Sequence, residues 1–84
     1  MAPHKIKITY CAECGYEPQT LELASALMLE FGARLSSIEL IPWDSGTFDV
    51  SFDGALIHSM RREGGFPDHD AVKRVVREAL RASG

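Results

Sequence analysis

Of the 84 residues only two are cysteine and four are proline, and no uninterrupted apolar run exceeds Ala26-Leu27-Met28-Leu29. Two cysteines are too few to staple a small secreted domain. A four-residue apolar run falls far short of the roughly 20 residues that a membrane helix needs. The segment Met1 to Thr9 holds no apolar signal core, so cytoplasmic residence is the expectation. Positive charge is also scarce. Nine Lys and Arg against twelve Asp and Glu leave a net charge of −3, and a chain without a basic surface is a poor nucleic-acid binder. Neither nucleic acid nor a membrane is therefore expected as a partner. The apolar 45% and charged 25% are ordinary globular proportions. Such a length supports one domain, residues 1–84, with a small core and little stability to spare.

What is present divides cleanly. Lys5-Ile6-Lys7-Ile8-Thr9-Tyr10 alternates, which predicts a strand with Ile6, Ile8 and Tyr10 on its dry side. Cys11-Ala12-Glu13-Cys14-Gly15 follows. A helical pattern comes next, with Leu21, Ala24, Leu27, Met28 and Phe31 as its core face and Gly32 as its C-cap. Leu35 to Ile41 reads as a second strand closed by Pro42, with Trp43-Asp44-Ser45-Gly46 as a turn. Phe48, Val50 and Phe52 alternate with Asp49, Ser51 and Asp53, and Asp53-Gly54 is a strong hairpin signal. A two-residue loop there pairs Phe52 with Ala55, Val50 with Ile57 and Phe48 with Ser59. Ser51–Leu56 and Asp49–His58 become the outer pairs. A loop from Met60 to Pro67 centres on Gly64-Gly65. Asp68 is placed to cap a last helix whose stripe is Ala71, Val72, Val75, Val76, Ala79 and Leu80, with Arg77 and Arg81 at its C-terminal end.

The resulting order, β-α-β-β-β-α, implies an α/β two-layer sandwich. Its four-stranded mixed sheet starts with a parallel crossover and carries both helices on one face, because the strands alternate instead of being apolar on both sides. The open face would hold Leu56, with Ile41 or Leu35, which hints at a weak homodimer.

A C-x-x-C between a strand and the helix of a βαβ unit reads as a thioredoxin-like redox motif. At that spacing two sulfurs can close a tight disulfide, one thiol attacking and the other resolving, and a helix N-terminus nearby stabilises a thiolate. Two other readings compete: a pair of inert thiols, and a zinc site drawing on His4, His58 and His69, which lack zinc-finger spacing. His58 is expected as a plain cross-strand partner of Asp49. Arg61 and Arg62 flank the glycine-rich loop, as solvated charges or as an attraction for an anionic partner such as the carboxylates of glutathione. Tyr16 is placed to shield the sulfurs or to touch a substrate.

Tyr10-Cys11-Ala12-Glu13-Cys14-Gly15-Tyr16, Gly46-Thr47-Phe48-Asp49-Val50, Leu56-Ile57-His58-Ser59 and Gly64-Gly65-Phe66-Pro67 together resemble the selenoprotein W/T/H (Rdx) family, across nearly the whole chain. The resemblance implies a thioredoxin-like fold and a redox role linked to glutathione or another thiol. In the selenium-containing members selenium stands at the position matching Cys14, so this chain looks like a sulfur-only homologue. Cys11 and Cys14 are then the catalytic pair, joined as a disulfide when oxidised, with no metal or flavin implied. Trp43 departs from the small residues usual at its position. With Tyr16, Arg61 and Arg62 it is a candidate contact for a thiol reductant, an oxidised protein or a small disulfide. A protein-binding module whose docking follows the state of the C-x-x-C loop is the alternative function.

Overall fold

Residues 3–82 are described by the computed structural model. Four strands, β1 (His4–Cys11), β2 (Leu35–Trp43), β3 (Phe48–Phe52) and β4 (Ala55–Ser59), form one sheet in the order β2-β1-β3-β4. β1 and β2 run parallel, while β3 is antiparallel to both β1 and β4. The helices are α1 (Glu17–Phe31), the single turn α2 (Met60–Glu63) and α3 (His69–Ala82). Alternation explains the layering. Ile6 and Ile8 of β1 and Phe48, Val50 and Phe52 of β3 are buried in one cluster with Leu23, Ala24, Leu27 and Phe31 of α1 and Val72, Val76 and Leu80 of α3. The intervening Lys5 and Lys7 stay in solvent. This is the two-layer, thioredoxin-like α/β sandwich that the sequence implies.

Three local expectations need correction. The buried face of α1 is Thr20, Leu23, Ala24, Leu27 and Phe31, whereas Leu21 and Met28 are 59% and 58% exposed. α1 is apolar around most of its circumference, so two stripes fit its spacing. Packing selects the one that begins at Thr20, whose hydroxyl donates to the Tyr16 carbonyl at 2.8 Å and is thereby satisfied. Gly32 caps α1 as expected, in a right-handed conformation (φ −51°) that leads into a 3-10 turn, Gly32–Arg34. β2 does not stop at Pro42 but runs on to Trp43, which is therefore the last strand residue and not part of the turn. The Ala12 N–H donates to the Trp43 carbonyl at 3.0 Å, so the peptide groups of Trp43 point inward and those of Pro42 point to the open edge. There a missing N–H loses no ladder bond.

The third correction concerns the hairpin. Phe52 pairs with Ala55 and Ser51 with Leu56 as expected, but Val50 pairs with His58 and Asp49 with Ser59. A bulge at Ile57 absorbs one residue. Because side chains alternate with a period of two, that extra residue swaps the two faces beyond it. His58 is consequently buried on the core side instead of standing opposite Asp49. Of the apolar residues expected on the open face, Leu56 and Ile41 pair there with Ser51 and Thr9, while Leu35 packs against the core.

α1 and α3 are also joined by charge. Glu30 of α1 pairs with Lys73 at 3.4 Å and with Arg77, and the Arg77 guanidinium lies 5.9 Å from the Phe31 ring centre. The Arg77 hydrogen bond, helped by Lys73, holds the Glu30 carboxyl below its ordinary range. A carboxyl depressed by folding contributes its stability above the unfolded-state pKa and loses it as pH falls through the folded value. The melting temperature of Glu30→Gln should therefore lie below that of the wild type at neutral pH. The gap should close on acidification through and below the usual glutamate range, as measured by thermal melts across that interval.

Candidate redox site

Cys11 ends β1 and is wholly buried, while Cys14 lies exposed in the following turn. Their Cα atoms are 5.3 Å apart and the sulfurs form a disulfide, within the roughly 7 Å limit for bridging. Backbone bonds build the turn: Gly15 N–H to Ala12 O at 3.1 Å, and Tyr16 N–H to Cys11 O at 3.3 Å. Gly15 takes a left-handed φ of 73°, which a side chain would resist. The Cys14 N–H donates to Cys11 Sγ at 3.2 Å. α1 starts only at Glu17, with Pro18 in its first turn, where the missing N–H is no loss. Along the chain, Cys14 is therefore nearer than Cys11 to its positive end.

Topology brings a second loop to the same end. β4 is antiparallel to β3, which is antiparallel to β1, so the chain after β4 returns to the Cys11 end of the sheet. There Phe66 packs edge-on against Tyr16 at 4.9 Å and against Phe48 at 5.1 Å between ring centres. Gly64 is left-handed (φ 87°), and the Gly65 carbonyl lies 2.8 Å from His58 Nε2. His58 thus anchors the glycine-rich loop. Neither that role nor Phe66 as a neighbour of the motif follows from local spacing; only the Gly64-Gly65-Phe66-Pro67 block points toward it.

The remaining expected contacts separate. Tyr16 is half-buried at the start of α1, and Trp43 is 60% exposed beside the turn that its carbonyl supports. Arg61 lines an open cleft with Trp43. Arg62 is instead held by Glu63 at 2.9 Å, and that bond, with the Ser59 N–H, keeps the Glu63 carboxyl below its usual range. The histidines stand apart. His4 lies 2.7 Å from the Asp53 carboxylate, His58 meets Gly65, and His69 starts α3. Among the described residues no three His, Cys, Asp or Glu side chains converge as metal ligands. No helix among them is long and apolar enough to cross a membrane.

A thioredoxin-like sandwich with a disulfide pair at its first strand–helix turn defines a class of thiol redox domains. Residues 5–78 match the Rdx family, and the chain belongs to that family. It is 33% identical over 79 residues to Selenoprotein W of Mus musculus, covering 93% of this chain and 90% of that protein. Migration and invasion enhancer 1 of Mus musculus is 35% identical over 74 residues, covering 88% of this chain and 63% of that one. A crystal structure from Bordetella parapertussis superposes with a TM-score of 0.88 at 32% identity, covering 92% of this chain and 98% of that one. The Selenoprotein W-related protein from Vibrio cholerae gives 0.88 at 28% identity, covering 92% and 96%. Family and disulfide pair together support a redox role.

Proposed function

We propose that the protein is a thiol–disulfide oxidoreductase in which Cys14 attacks and Cys11 resolves. The observation that carries this reading is the contrast in access: Cys14 is exposed and Cys11 is buried. A substrate sulfur must be approached in line by a thiolate, and access is a condition of that attack. The Cys14 thiolate adds to one sulfur of the substrate disulfide and expels the other as a thiolate, which takes up a proton. The Cys11 thiolate then attacks Cys14 Sγ, releasing the second substrate thiol and closing the Cys11–Cys14 bond. Two electrons pass from the protein dithiol to the substrate.

The positive end of α1 supports charge on Cys14, against the nearby Glu13 and Glu17. The bond from the Cys14 N–H to Cys11 Sγ supports a negative Cys11 sulfur whenever the disulfide is opened at Cys14. Recovery of the dithiol needs a reductant such as glutathione or a thioredoxin, which fits a cytoplasmic setting. Mild oxidation of the reduced protein should remove two hydrogens within one chain, as read by mass spectrometry. A product that is mainly a disulfide-linked dimer would count against the scheme. The second reading is a docking module gated by the redox state of the pair. It draws on Trp43 and Phe66, 60% and 42% exposed beside the turn, and lacks repeated turnover.

A further inference from the structure

We infer that the cleft between Trp43 and Arg61 is a subsite for the zwitterionic α-amino-acid group of a small disulfide; this rests on the thiol–disulfide reading above. The sheet register puts one wall of this cleft next to Cys11. Cys11 pairs with Trp43 on β2, Thr9 pairs with Asp49 on β3, and Asp49 pairs with Ser59 on β4. By strand alternation these residues share the helix-free face, and Arg61 follows two residues after Ser59. Trp43, Asp44, Asp49 and Arg61 thus border an open cleft of about 500 Å³, one wall of which, Trp43, is the strand partner of Cys11.

Its charges are unspent. Among the described residues no ion pair within 4.0 Å engages Arg61, Asp44 or Asp49, whereas Arg62, Arg77 and Arg81 are each matched to a glutamate. A ligand that is only anionic meets two aspartates here, and one that is only cationic meets Arg61. A group bearing an ammonium and a carboxylate on one carbon finds a partner for each. The exposed Trp43 ring offers apolar cover for the adjoining methylene and sulfur. A cystine-type disulfide carries such a group one carbon from its sulfur. Cysteines inside a polypeptide do not, because their amino and carboxyl groups are tied up in amides. Reaction with the reduced protein balances as cystine plus the Cys11/Cys14 dithiol, giving two cysteines and the Cys11–Cys14 disulfide.

Four disulfides separate the charges: cystine (zwitterionic), cystamine (cationic), 3,3′-dithiodipropionate (anionic) and 2-hydroxyethyl disulfide (neutral). Single-turnover rates of the pre-reduced protein at subsaturating substrate are divided by the rate of each compound with dithiothreitol, which removes leaving-group differences. Cystine should then exceed 2-hydroxyethyl disulfide by about tenfold. Arg61→Gln should slow cystine and dithiodipropionate by about fivefold and spare cystamine. Asp44→Asn combined with Asp49→Asn should slow cystine and cystamine and spare dithiodipropionate. Equal normalised rates for all four compounds, or variants that slow all four alike, would overturn the subsite while leaving the redox reading intact. No thiol release from any compound would overturn both.

Discussion

Val50→Asp is expected to unfold the protein, and Ser51→Asp to leave its melting temperature nearly unchanged. Val50 is fully buried between Ile8 on β1 and His58 on β4. A carboxylate there is cut off from water, and the His58 ring opposite is already engaged by the Gly65 carbonyl. Burying such a charge costs several kcal/mol at least, about the whole stability of a small domain. Ser51 points the other way, paired with Lys7 and Leu56, where a carboxylate stays hydrated and has a lysine opposite. Circular dichroism melts of the two variants decide the matter. Equal melting temperatures would show that the face assignment of β3 is wrong.

The second large effect is on chemistry. Cys14→Ser should reduce turnover of a disulfide substrate by about 100-fold or more, toward the uncatalysed rate, because a serine hydroxyl cannot form the mixed disulfide. Cys11→Ser should behave differently. It keeps the attacking thiol but lacks the resolving one, so the protein accumulates as a one-to-one mixed disulfide with the substrate, released only by added thiol. Intact-mass measurement after one equivalent of substrate distinguishes the two. Mixed disulfide in Cys14→Ser and none in Cys11→Ser would reverse the assigned roles.

The parts of this molecule legible in the sequence are those governed by short-range pattern. Ile6 and Ile8, the Phe48-Val50-Phe52 alternation and the turn at Asp53-Gly54 each carry their own signal, and the structure places them as their spacing implies. So does the C-x-x-C, since three residues of separation bring the sulfurs together. Features set by long-range packing are different. Nothing local marks Ile57 as a bulge, yet that one residue moves His58 from the open face to the core and makes it the anchor of the Gly65 carbonyl. The face of α1 depends on what β1 presents to it, so Leu21 and Met28 fit a helical stripe and still end in solvent. Pro42 stops a strand by propensity, but the open edge of β2 tolerates it. The contact of Phe66 with Tyr16 joins residues far apart in the chain and forms because β4 returns the chain to the Cys11 end of the sheet.

The attacking role of Cys14 is tested most directly by alkylation of the two single-thiol variants across about pH 5 to 9, the range in which activated thiols titrate. Burial opposes both ionisation and reagent access at Cys11, while exposure and the start of α1 favour Cys14. The Cys14 thiol, measured in Cys11→Ser, should therefore react faster near neutral pH and with the lower apparent pKa. A faster reaction and a lower apparent pKa for the Cys11 thiol, measured in Cys14→Ser, would contradict it.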